Sequence, residues 1–265
     1  DTIEKSGKEQ TAPVYDPDFV PPPVADDDLV DAFCRATNEL FKRAVIPPIR
    51  DYVQMRAASP FPPSEILKKL TSPPEYPGIP RGVTLTIIGS VPTALVWYGY
   101  YKFSVEEELF QDELRRSGRA TGCGGYGTLL PFVFLVLAGG FFSLVPGLKD
   151  SGNTLIEAGS IWILAGQVNL YRRVNELYAE KFGEENIPLH PWWALLPPPL
   201  DVVVGLRQVH FLAKYWSEVR GESLGKDYVA EELFPFISSP RFTLEEFVRE
   251  PRRWFWFTKD AKNLF

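Results

Sequence analysis

Two long stretches without a single charge, Gly82 to Tyr101 and Ala120 to Leu148, constrain this chain more than any other feature. A third apolar run, Thr154 to Leu170, follows almost at once and carries one carboxylate, Glu157. A hydrocarbon layer about 30 Å thick takes roughly 20 apolar helical residues at about 1.5 Å of rise each. A chain in lipid must also satisfy its own backbone groups, which favours helices. The expectation is an all-α membrane protein with about three transmembrane helices, near 82–101, 124–146 and 154–171. Amphipathic interfacial helices and long extended proline-rich arms complete it.

The first stretch lies between Arg81 and Lys102 and gathers Trp97, Tyr98, Tyr100 and Tyr101 at one end, where amphipathic rings prefer the headgroup level. Pro92 in its middle removes a backbone donor and predicts a kink. The second contains LLPFVFLVLAGGFFSLV, bounded by Arg119 and Lys149. Read without a membrane, it is a buried helix of a large soluble core, but soluble helices rarely need so long an uncharged run. The short PGLKDSGNT connection forces the second and third spans into an antiparallel hairpin, with Asn153 or Thr154 as the cap.

Residues 1–28 form an acidic, proline-rich arm with little that could bury a core. Short amphipathic helices are expected over 29–81. One carries Leu29, Ala32, Phe33, Ala36, Leu40 and Phe41 at helical spacing and ends at Pro47 and Pro48; another follows Ser64. Between the first two spans, Ser104 and Glu107 have capping-box spacing, and Glu106 to Glu108 read as a solvated helix face. ATGCGGYGT reads as a flexible lead-in to the second span. Cys34 and Cys123 read as small, partly buried residues and not as a disulfide framework.

Beyond Arg172 and Arg173 a polar segment leads to an interfacial helix within 172–220. Asp201 starts it, Val202, Leu206, Val209, Ala213 and Trp216 form an apolar stripe, and Arg207, Gln208 and Lys214 lie opposite. Residues 221–265 form an aromatic arm with Trp254, Phe255, Trp256 and Phe257 together, suited to a partner or the bilayer boundary.

Candidate site residues lie at the membrane zone. Glu157 is a carboxylate near lipid, where a partner is usual, although a first-turn acid is also favoured by the helix dipole. Gln167 and Asn169 offer side-chain oxygens to a magnesium porphyrin or to interhelical hydrogen bonds. His210 is either an axial ligand at the helix edge or a surface hydrogen-bonding group. Ala158, Gly159, Ala165 and Gly166 leave a smooth strip for a second helix or a flat macrocycle.

The net charge of −6 and pI near 5.2 argue against nucleic-acid partners. A mean hydropathy of −0.10 requires water-exposed portions beside the spans. Asp at position 1 reads as a processed chain. The two histidines stand far apart, and no nucleophile elbow or phosphate loop is present, so enzymatic chemistry is poorly supported.

The acidic proline-rich arm, the spans, HPWWALLPPPLDVVVGLRQVHFLAKYW and the aromatic tail together resemble the accessory membrane subunits of algal chloroplast photosystem–antenna supercomplexes. The light-harvesting family's paired glutamate–arginine signature is not matched. The resemblance implies a non-enzymatic linker in a hetero-oligomeric thylakoid complex, touching membrane lipid, photosystem core and light-harvesting proteins, and carrying chlorophyll and carotenoid. Two alternatives share the same physics: an accessory subunit of a respiratory complex in the mitochondrial inner membrane, and a membrane enzyme acting on lipids or isoprenoids. Basic residues near the spans favour a stromal first loop and tail by seven to four, which sends the N-terminal arm to the lumen.

Overall fold

The ten residues from Leu144 to Asn153 fold the most apolar part of the chain back on itself. A computed structural model describes residues 28–57, 78–183, 189–197, 200–241 and 243–250. Helices α4 (Gly124–Ser143) and α5 (Lys149–Phe182) run antiparallel across a five-residue turn. The hairpin read from PGLKDSGNT is therefore present, but α5 starts at Lys149, so Asn153 and Thr154 lie inside the helix and do not cap it. Glycines set the spacing: a Cβ on Gly139 would stand 2.6 Å from the Gly152 carbonyl oxygen, and one on Gly159 would stand 3.2 Å from Leu135. Trp162 Nε1 donates to the Gly127 and Thr128 carbonyls, fixing the register near the open end.

No strand occurs among the described residues, in keeping with an all-α chain. Among them α4 is the one helix long and apolar enough to cross a membrane. The stretch 82–101 does not form a span of its own. It breaks into α2 (Val83–Ser90) and the start of α3 (Val96–Ser117), with a tight turn at 91–95 in which Ala94 and Leu95 have φ of 47° and 69°. Pro92 has no N–H to continue the helix, so the kink expected there is a full reversal. Trp97 lies against Gly89, which shows that the two helices fold together. Helix α3 then runs unbroken through Ser104, which is an interior residue and not a cap.

Helix α1 (Leu29–Ala57) continues past Pro47 and Pro48 instead of ending there. Its inward side is also the reverse of the expected one. Asp31, Cys34 and Asn38 are buried, while Leu29, Phe33 and Leu40 face out. Polar atoms win this face because Arg119 and Cys123 in the α3–α4 connection, and Glu107 on α3, offer them partners. Asn38 Nδ2 donates to the Cys123 carbonyl, and Cys34 and Cys123 form a disulfide with a Cα separation of 4.3 Å. The expectation of two unpaired cysteines is thereby corrected. The glycine-rich lead-in is closely packed: Gly124, at φ +63°, and Gly127 lie where any Cβ would strike Asn38.

Helix α6 (Leu200–Arg220) is the core of the globular head and not an interfacial helix. Arg207, Gln208 and His210 are buried together with Val204, Val209, Phe211, Leu212 and Trp216. Burial of Arg207 and Gln208 is tolerated because both are hydrogen-bonded within the protein. Arg207 donates to the carbonyls of Phe236 and Ser239 at the end of α7 (Pro235–Ser238), where the helix dipole favours a cation. Thr243 caps α8 (Leu244–Arg249) through the Glu246 N–H at 3.1 Å. The N-terminal arm, the helix expected after Ser64 and the aromatic cluster at 254–257 lie outside the described residues.

Candidate functional site

The hairpin presents an apolar surface outward. Phe134, Leu137 and Phe141 on α4 and Ile161 and Leu164 on α5 are exposed, Leu137 at 68% and Ile161 at 69%. Only 22% of the most apolar part of α4 is buried within the protein. A core helix of a soluble protein would be mostly covered, whereas most of this helix is left uncovered by the described residues. Exposed Leu29, Phe33 and Leu40 on α1 add a second apolar surface, tied to the hairpin by the edge-on contact of Phe33 with Trp162 at 6.1 Å.

At the base of the hairpin lies a buried charge network, the feature that the sequence conceals most completely. Glu106, Glu107 and Glu108 are all buried, not solvated. Three consecutive helical residues point about 100° apart, so each meets a different neighbour. Glu106 faces Lys102 at 3.2 Å and Arg173 at 3.6 Å. Glu107 accepts from Asn38 Nδ2 and from the Gly125 N–H. Glu108 takes both prongs of Arg81, at 2.6 and 3.0 Å.

Arg173 is completely buried and its Nε donates to Glu113 Oε1 at 2.7 Å; Glu113 also receives the Thr121 N–H at 2.8 Å. Burial drives the Lys102 ammonium below its ordinary range, with Glu106 opposing the shift. The network thus joins α1, α3, α4 and α5 at one level. A signal for part of it was present in the sequence: Lys102 and Glu106 stand at i, i+4.

The four candidate ligands are not brought together. Gln167 accepts from Lys102 on α3, and Asn169 bridges from the Thr121 carbonyl in the α3–α4 connection at 2.7 Å to Arg172 of its own helix at 2.7 Å, so both amides are engaged within the protein. His210 is buried in the head core. Its Nδ1 is buried without a hydrogen-bond partner, and burial pushes its pKa down to about 4. Glu157 alone is outward, beside exposed Ala158 and Ile161.

Because α5 begins at Lys149, Glu157 sits about 12 Å along the helix. The first-turn dipole therefore does not account for it. The small-residue strip is divided: Gly159 and Gly166 pack on α4, whereas Ala158 and Ala165 face out. Among the described residues no cluster of three or more His, Cys, Asp or Glu side chains is arranged to hold a metal ion.

No family of known proteins, no curated protein and no solved structure matches this chain.

Proposed function

We propose that the chain is a non-enzymatic accessory subunit of a membrane complex. In this reading the α4/α5 hairpin sits in the bilayer against lipid and neighbouring subunits, and the helical head lies on one side. The observation that carries it is the outward apolar surface of the hairpin directly above a fully internal charge network. Charges consumed within the protein hold four helices in register, and the uncharged faces remain free for docking.

The finer reading is a linker between a photosystem core and its antenna in the thylakoid. Glu157 supports it, since a carboxylate about one turn into the apolar run of α5 calls for a partner in lipid, and a chlorophyll magnesium or a neighbouring subunit's arginine would serve. Ala158 and Ala165 leave a flat surface beside it for a macrocycle. A bound chlorophyll would supply light absorption and energy transfer, while this chain would contribute the ligand oxygen and the apolar floor. The buried environment of His210 and the engaged amides of Gln167 and Asn169 do not suit an open axial position.

The test is native electrophoresis of solubilised membranes. The chain should resist alkaline extraction and co-migrate with a pigmented complex. A chain that washes off, or that runs alone and colourless while turning over a lipid, would replace this reading.

A further inference from the structure

We propose that the tip joining α2 and α3 is a re-entrant membrane anchor, entering and leaving the leaflet on the side of the head, with lipid acyl chains as its occupant. The inference rests on the membrane reading of the hairpin and adds a second insertion to it.

The tip lies beyond the buried charge network, at the end of α3 remote from Ser117. Lys102 contacts Gln167 on α5, and Trp162, about one turn nearer the hairpin loop, reaches the Gly127 and Thr128 carbonyls of α4. Phe103 stacks edge-on with Tyr126 at 4.8 Å, and Glu107 meets Gly125. Going backward along α3 from Glu107 to Phe103 therefore moves in the same direction as going forward along α4. The six residues from Lys102 back to Val96 carry α3 about 9 Å beyond the buried charge network, with Trp97 and Tyr98 packed on the rim of the head core.

The tip's surface is apolar. Leu85, Ile88, Val91, Leu95 and Val96 are all exposed, Val96 at 75%, and no charge occurs between Arg81 and Lys102. Those two cations mark the base of the two arms and both are anchored inward, on Glu108 and Glu106.

Most of the backbone N–H groups of the turn are bonded within it, which lowers the cost of immersing it in hydrocarbon. The N–H of Val91 bonds to Ile87, that of Ala94 to Val91, that of Leu95 to Ser90 and that of Val96 to Thr93. Trp97 N–H is taken by Thr93 Oγ1 at 3.0 Å, and that hydroxyl itself donates to the Gly89 carbonyl. Position 92 is proline and has no N–H to satisfy. Ala94 and Leu95 hold left-handed conformations that glycine or asparagine would adopt with less strain. Apolar side chains at those strained positions fit a turn immersed in lipid.

The experiment uses the full chain in phosphatidylcholine/phosphatidylglycerol bilayers, purified without reductant so that Cys34 and Cys123 stay paired. Single nitroxide labels are introduced through I88C, V91C and V96C, with L137C on the hairpin and S117C on the head as references. Collision with oxygen should exceed collision with a nickel chelate several-fold at the three tip sites, as at L137C, and the order should reverse at S117C. Tip labels that behave like S117C, or that neither reagent reaches, while L137C stays lipid-like would overturn the anchor and leave the hairpin reading intact. An L137C label open to the nickel chelate would overturn both.

Discussion

Arg173 donates its Nε–H to Glu113 Oε1 at 2.7 Å from a position with no solvent exposure, and thereby ties the middle of α5 to the C-terminal half of α3. Removing one partner of a buried pair strands the other charge, which costs about 3–5 kcal/mol. R173M should therefore lower the denaturant midpoint of the purified protein by a corresponding amount. R173K should recover only part of the loss, since a single ammonium cannot reproduce the planar fork facing both Glu113 and Glu106. Equal stability of R173M and the parent would remove the network from its structural role.

The disulfide closes a loop of 89 residues, worth about 4–5 kcal/mol in the chain-entropy account. Without it, α1 keeps the hydrogen bonds of Asn38 and the 2.7 Å ion pair of Asp31 with Arg119. The expected outcome on reduction, or in C34S/C123S, is selective protease cutting within residues 29–57 while the α4/α5 hairpin stays intact. Simultaneous loss of both regions would show that the bond supports the whole fold and not one helix.

The hairpin was legible because it depends on quantities a sequence displays: uncharged length, a short glycine-containing turn and flanking charges. What stayed hidden depends on pairing across long separations. Nothing near Glu108 in the chain reveals Arg81 as its partner 27 residues away, and nothing near Cys34 reveals Cys123. Helix α6 shows the same limit. A stripe of Val202, Leu206 and Val209 opposite Arg207 and Gln208 looks amphipathic until α7 supplies carbonyls to Arg207 and Tyr101 supplies an oxygen to Gln208. Once those partners exist the polar face is buried too, and Val202 is left exposed.

His210 gives the head an acid limit. Burial is the main cause of its low value; Asp227 opposes the shift, and Lys214 and Arg207 reinforce it. The neutral ring is the folded form, so its contribution is complete above about pH 6.5 and is lost as pH falls toward about 4. At about 1.4 kcal/mol per pH unit this amounts to about 3 kcal/mol. Stability measured from pH 7 to pH 4 should fall less steeply in H210F than in the parent. Parallel curves would mean that the ring is not held neutral.

Because α2 turns back at Pro92, the proposed membrane reading, with a two-helix hairpin in the bilayer, puts α1 and the C-terminal segment on the same side. This replaces the arrangement expected from three spans, with the arm in the lumen and the tail in the stroma. Protease added to sealed vesicles of one orientation should cut both ends or spare both. Cutting one end alone would restore a third crossing.

Glu157 is the residue on which the pigment reading turns. It lies on the outward face of α5, beyond the first turn of the helix, next to Ala158 and Ile161, where the proposed membrane reading makes an uncompensated carboxylate expensive. A magnesium ion coordinated there would offset that cost, as would an arginine of a neighbouring subunit. E157L keeps the apolar surface and removes the ligand, so chlorophyll recovered per isolated complex should drop by about one molecule while the chain remains assembled. H210F should leave the count unchanged, since that ring is enclosed by the head. If E157L keeps its pigment but falls out of the complex, the carboxylate pairs with a subunit and not with magnesium. If it keeps both, Glu157 serves neither purpose.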